Sequence, residues 1–324
     1  MPSMTTARQA GGTLNGQLLT GGVRDVYSME ILYHAQPKLV YTQFVDVRTE
    51  LGKEPGDTIK FTKYNDLQGD SLLSEVEVIK TTHLSASLVA IEVAEHGFAV
   101  KESERLIRTS WDDVVARATM LLGQHYGKAV DGLCRNEFRA AGSQQSVIVG
   151  GGANRSALTV DDTLDVQSIK DGAEILATNK VVKIGGAYVC IVHPHQSRGI
   201  RDDNEWLEAH KYASPQEIFM GEIGMIEGVR FIETTNTAVV KAVTGVVNVD
   251  GVATSEVEPV VNDDVDVYQA QMIGGHGIGW ANALPVQLRD NGVEDFGRNR
   301  SLAWYSIMGS GTIDADTVVQ IESA

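Results

Sequence analysis

The side chains best suited to chemistry lie in one short run. His193-Pro194-His195 brings two imidazoles together, and Asp202 and Asp203 follow within ten residues. Imidazoles and carboxylates in that proximity are the donors of a zinc site or the partners of a proton relay. The spacing argues against both, because Pro194 splits the pair and neither an HExxH motif nor a third spaced histidine accompanies it. The run is therefore expected to be a turn that ends a strand. An enzyme using His193, His195 and Asp202 is the catalytic alternative.

The glycine runs offer less. Gly150-Gly151-Gly152 lacks the Lys-Ser/Thr ending of a phosphate-binding loop. Gly274-Gly275-His276-Gly277-Ile278-Gly279 has the outline of a dinucleotide fingerprint. That motif must open a helix and be followed by an acidic residue about 20 positions on. The stretch from Trp280 to Pro285 opens no convincing helix. There is no GxSxG elbow. Asn154-Arg155-Ser156 fits a glycosylation acceptor but carries no weight without a leader peptide. Two cysteines, Cys134 and Cys190, are too few for a disulfide scaffold or a CxxC zinc site. One bridge could join them, and two buried thiols are the expected state. No catalytic, metal-binding or cofactor-binding residue is expected.

The elements that would position these residues are easier to read. Residues 1–22 are polar and rich in Gly, Thr and Gln, like an arm that needs a partner to order it. They lack the basic start and apolar core of a signal peptide. Residues 25–47 read as a short helix broken at Pro37, then an extended piece. Between residues 55 and 101, Thr58 to Thr62, Glu75 to Val78 and Leu88 to Val93 alternate with period two. Such alternation means strands with one wet face. A long hairpin with a returning third strand is expected, its tip at Asn65 to Ser71. A hairpin of that length normally needs something else to lie on.

Residues 110–141 carry the strongest helical period, with Ser110 expected as N-cap, Asp113 three residues on, and Gly142 at the end. A helix of that length is a spine rather than a bundle member. A second helix is expected over Thr159 to Asn179. After it, Tyr188 to Val192 reads as a strand buried on both faces, and Val229 to Glu233 as another. Valine-rich runs over 236–267 are split by an Asn-Val-Asp-Gly turn. Leu302 to Ile307 and Thr317 to Ile321 are the last strand candidates.

Composition sets the outer bounds. The chain has 324 residues, 43% hydrophobic and 22% charged, which are globular values. With 27 basic and 43 acidic residues the net charge is −16, so tight non-specific coating of nucleic acid is disfavoured. No apolar run approaches the roughly 18 residues of a membrane span. An exposed hairpin and an unanchored arm are assembly devices, because another chain must meet their backbone and apolar faces.

Four segments resemble a known family in their order along the chain. They are Tyr188 to Gln196, with its His-Pro ending; Gly221 to Thr234; Val267 to Gly274; and Gly297-Arg298 to Trp304 with Thr317 to Glu322. The chain resembles the major capsid proteins of tailed phages with the Hong Kong 97-type fold, in the branch typified by phage N-four. The resemblance implies an α+β fold. Residues 1–54 would be the N-terminal arm and 55–101 the extended loop. Residues 102–179 would be the peripheral domain with its spine helix at 110–141. Residues 180–284 would be the axial domain and 285–324 the return to the peripheral domain. Residues 236–262 depart from the family in being longer and more valine-rich, as an added surface lobe or a site for a decoration protein would be. It implies hexamers and pentamers of an icosahedral head around double-stranded DNA, bound without sequence specificity. It also implies scaffold, portal and decoration proteins as partners, no membrane, and assembly in the host cytoplasm. Contacts between subunits would involve Lys60, Lys63, Tyr64, Asp66, Glu222 and Arg230. A Lys–Asn cross-link through Lys60 or Lys63 is not expected. Rival readings are an encapsulin-like nanocompartment and a tail or baseplate protein.

Overall fold

Alternation becomes strand, and the 3.6-residue period becomes helix, over the residues described by the computed structural model: 39–49, 58–64, 81, 83–111, 113–151, 155, 158–203, 224–242, 244–249, 252–258 and 265–324. A 3-10 turn at Tyr41–Phe44 leads into β1 (Asp46–Arg48), the expected extended piece. The helix expected before Pro37 lies outside the described residues. β2 (Thr58–Tyr64) pairs antiparallel with β3 (Ala86–Glu92), Ile59 opposite Ile91 and Tyr64 opposite Ala86. The base of the hairpin is therefore made by the first and third of the expected strands. Its expected tip and its middle strand, Glu75 to Val78, lie outside the described residues.

β4 (Ala94–Ser103) runs directly into α1 (Glu104–Thr109), whose N-cap is Ser103. α2 (Val114–Gly142) is the spine, roughly 44 Å long at 1.5 Å per residue. It starts later than the sequence suggested. Ser110 closes α1 instead, extended at φ −71° and ψ 143°, with its N–H donated to the Leu106 carbonyl. Asp113 is then the N-cap of α2, accepting from the Ala116 N–H at 3.2 Å. Trp111 falls in the corner between the helices, fully exposed rather than on the apolar face.

β5 (Ser146–Ile148) follows the spine, and α3 (Val166–Thr178) is capped by Asp165. α3 is shorter than expected because Asp162 accepts from both the N–H and the hydroxyl of Thr159, at 2.7 and 2.8 Å. That local turn competes with helix over 159–165.

β6 (Tyr188–Val192) is buried at every residue, as its unbroken apolar run requires. α4 (Pro194–Asp202) follows, then β7 (Met225–Ile226), β8 (Val229–Glu233), β9 (Ala238–Val240), β10 (Val246–Val249), β11 (Val252–Val257) and β12 (Val267–Ile273). β13 (Ile278–Glu294), β14 (Asn299–Thr312) and β15 (Val318–Ser323) complete the chain. β14 extends well beyond the expected Leu302 to Ile307, and β13 is a strand that the sequence reading did not include. Pro285 is accommodated where the β13–β14 register shifts, at an exposed position.

The strands form two main sheets. One has the order β1-β13-β14-β4. The other has nine strands and branches at β12. β15 covers one edge of β12, while β9 and β6 share the other, β9 on its first half and β6 on its second. The valine-rich runs of 236–262 are the branch β9-β10-β11. Helices cover both faces at the centre. Cys190 and Val192 of β6 pack with Ile169 and Leu176 of α3. Val189 and Ile191 point the other way, to Val130, Cys134 and Phe138 of α2. Cys134 and Cys190 are buried free thiols in these two separate cores.

Candidate assembly site

The hairpin base rests on the four-stranded sheet by close fit. Ile59, Phe61 and Ile91 form a small apolar cluster with Ala281 of β13. Beneath them three positions of the sheet, Gly279, Gly309 and Gly311, carry no side chain. A Cβ on Gly279 would lie 2.7 Å from Ile91 Cδ1 and 2.9 Å from Phe61 Cζ. A Cβ on Gly311 would lie 2.8 Å from Ile91 Cγ1, and one on Gly309 only 2.1 Å from the Glu92 carbonyl oxygen. Glycine inside a strand marks such an approach. The Gly274 to Gly279 run is therefore a packing seat rather than a nucleotide turn. Gly274 meets Val181, Gly277 meets Thr317, and Gly279 meets the hairpin.

Polar contacts frame the seat. Lys63 Nζ lies 2.5 Å from Asp314 Oδ2, and Arg48 donates to the Lys60 carbonyl at 3.0 Å with its guanidinium 4.9 Å above the Phe61 ring. His276 Nδ1 lies 2.9 Å from Asp46 Oδ2. These groups border a cleft of about 480 Å³. Above the seat the hairpin offers its other face to solvent: Lys60, Tyr64, Leu84 and Leu88 are exposed. Of the remaining expected contact residues, Lys63 is half-buried against its own chain's Asp314, and Arg230 is exposed on β8. Asp66 and Glu222 lie outside the described residues.

Two further constellations were not visible in the sequence. Asp131, wholly buried on the spine, accepts from the N–H groups of Val40 and Tyr41 at 2.8 and 2.7 Å, and from Asn236 Nδ2. It docks the turn at Tyr41–Phe44 onto the spine. Tyr41 then reaches Gln271 Oε1 at 2.7 Å. Burial pushes the Asp131 carboxyl up, and these hydrogen bonds oppose the shift.

The second constellation is a charged clasp. Arg139 of the spine donates to Glu256 and Glu258, and Arg155 to Glu258 and Glu322. Gln320 and Gln269 donate to the same carboxylates, at 2.6 Å to Glu322 and 3.2 Å to Glu258. Burial alone would raise Glu258, but Arg155 and Arg139 together hold it below the usual carboxylate range. The clasp ties β11, the spine, the 155 loop and β15 around an open cleft of about 560 Å³. Its arginines and their glutamates are more than 100 residues apart, so no local pattern announces it.

The histidine run has a structural task. His193 is the N-cap of α4. Its Nδ1 accepts from the His195 N–H at 3.1 Å, and Gln196 Oε1 accepts from the His193 N–H at 3.2 Å. Both rings lie against Tyr268, at 4.9 and 4.6 Å between centroids. The strand does end there, but in a helix rather than a turn. Asp203 accepts from the Val166 N–H at 3.0 Å and so joins α4 to α3. Among the described residues no cluster of three or more His, Cys, Asp or Glu is placed to hold a metal ion.

A family model described as phage capsid protein matches residues 40–314. No curated protein sequence matches the chain significantly. Among solved structures, the capsid of Ralstonia phage GP4 is similar at 16% identity and a TM-score of 0.64, covering 86% of each chain. The capsid of cyanophage P-SCSP1u gives 14% identity and a TM-score of 0.67 over 88% of each chain. The capsid of cyanophage Pam1 gives 14% identity and a TM-score of 0.65, over 90% of this chain and 92% of the other. The mixed helix-and-sheet architecture is thus the Hong Kong 97-type capsid fold, with a spine helix and a hairpin seated on a long-stranded sheet. With a family match across 40–314 and that fold, the chain belongs to the phage capsid protein family and has the structural role of a major capsid protein of the virion.

Proposed function

We propose that copies of this chain assemble into the hexamers and pentamers of an icosahedral head that encloses double-stranded DNA. The observation that carries this reading is the hairpin. It is fixed at its root by a glycine-lined seat, yet it exposes Tyr64, Leu84 and Leu88. The hairpin lies over an adjacent subunit, with Lys60, Tyr64 and Asp66 as contacts. Lys63 steadies its base through Asp314. Glu222 and Arg230 make contacts on the axial side.

The charge of −16 supports an inner surface that encloses a polyanion without gripping it. DNA is held without sequence specificity. Scaffold, portal and decoration proteins are the further partners, and assembly takes place in the host cytoplasm. The four segments that resemble the N-four-type branch support placing the chain there. The shell is held without covalent links.

The test is negative-stain microscopy after sedimentation of the expressed chain, with and without its scaffold. Closed shells tens of nanometres across are expected, and none after removal of residues 57–90. A chain that stays monomeric with scaffold supplied would refute the assembly reading. Normal shells from the deletion would refute the role given to the hairpin.

A further inference from the structure

A row of ionisable side chains crosses the four-stranded sheet and takes no part in the seat or the clasp. Glu102 of β4 stands directly opposite Arg300 of β14, and Arg300 in turn reaches Asp290 of β13. By the alternation of their strands, all three belong to the face that packs on the spine. Val100, Leu302 and Leu288, each two residues away, join the apolar cluster there.

The one cation is not shared evenly. Arg300 donates from Nε and Nη2 to Asp290 Oδ2, at 3.1 and 2.6 Å. Asp290 Oδ1 accepts from the Gly292 N–H at 2.8 Å. These bonds brace the bulge where the β13–β14 register shifts between Asp290 and Val293, with Gly292 at φ 76°. Glu102 is only 4% exposed, and neither of its carboxylate oxygens has a hydrogen-bond partner among the described residues. An ionised carboxylate is costly in such a position and takes up a proton instead.

Arg300 is nevertheless within reach of it. Side chains directly opposed on antiparallel strands have Cβ atoms about 5 Å apart, so the guanidinium can swing to Glu102 with no change of register. The charges bearing on Glu102 are Arg300 from β14 and Asp113, the N-cap of α2. Asp290 of β13 acts through the shared guanidinium. Lys101, its neighbour on β4, belongs to the other face and pairs with Glu294. Burial raises the Glu102 carboxyl above its ordinary value, Arg300 opposes the rise and Asp113 adds to it. The folded chain therefore keeps this proton to higher pH than the unfolded chain does.

We infer that Arg300 is a two-position latch, held on Asp290 while Glu102 carries a proton and drawn to Glu102 when that proton leaves. The step is an acid dissociation: the proton passes to solvent, and the guanidinium keeps its charge. Asp290 is then left to its Gly292 contact, so the β13 bulge is braced at lower pH and loosened at higher pH. The device lies within one chain and stands whether or not copies assemble.

The experiment is NMR of the unassembled full chain with isotope-labelled glutamate carboxyls, titrated from about pH 4 to about pH 9. Loss of a signal in Glu102→Gln assigns Glu102. In wild type Glu102 is expected to titrate above 4.5. In Asp290→Asn it is expected to titrate about one unit lower or more, because nothing on β13 then holds the guanidinium. The Gly292 amide of wild type is expected to shift with the same midpoint as Glu102. A Glu102 that titrates at or below 4.5 in wild type overturns the latch, as does a midpoint unchanged in Asp290→Asn. A Gly292 amide that does not follow Glu102 also overturns it, and that reading needs no variant that might misfold.

Discussion

A histidine that caps a helix must be unprotonated on the accepting atom. His193 Nδ1 accepts from the His195 N–H, so the cap exists only with a neutral ring. Burial, followed by the nearby His195 and Lys241, lowers its pKa from the ordinary 6.5, while Glu233 pulls the other way. The sign follows. With the folded pKa below the unfolded one, the unfolded chain binds the proton more readily. The contribution is therefore complete above about pH 6.5 and is lost as pH falls below it. His193→Ala should cost about 1 kcal/mol at pH 8. His193→Asp should keep the cap and remove the acid-dependent part between pH 7 and 5. Denaturant unfolding at the two pH values checks this, and equal acid losses in wild type and His193→Asp would exclude the cap as the cause. The sequence exposed this run without its task, since the motif shows where the strand ends but not which atom accepts. Asp131 and the Arg139–Arg155 clasp were illegible for a simpler reason. Their partners are brought together by tertiary packing from about 90 to 170 residues away.

Among the elements, those with a strong period were legible and those shaped by their neighbours were not. The buried stripe Ala118, Leu122, Tyr126, Val130, Cys134 and Phe138 runs the length of the spine, so its existence and direction follow from spacing. Its start does not, because Ser103 captures α1 first and leaves Asp113 to begin α2. β14 was legible only in part and β13 not at all, because Gly279, Gly309 and Gly311, with Pro285, interrupt their alternation. In the structure those glycines are where the hairpin touches the sheet. A proline at Leu121 tests the spine without disturbing the core, since that side chain is largely exposed. Leu121→Pro should cost about 3 kcal/mol or more, and Leu121→Ala well under 1 kcal/mol. Equal melting of the two variants would mean that the helix is interrupted there.

At the scale of the whole molecule, net charge opposes what the interfaces favour. Copies carrying −16 each repel, and salt screens that repulsion. Raising ionic strength from about 0.1 M to about 1 M shortens the screening length from about 10 Å to about 3 Å. Assembly followed by light scattering should therefore begin at lower protein concentration in high salt. The opposite trend would mean that charge pairs between copies dominate the contacts. The hairpin's root behaves differently from the clasp. Ile59, Phe61 and Ile91 hold to the sheet largely by apolar fit over missing side chains. Apolar burial loses driving force on cooling, whereas ion pairs such as those of the clasp do not depend on it. The root of the hairpin is thus sensitive to cold in a way the clasp is not, and it should slacken on cooling before the clasp does.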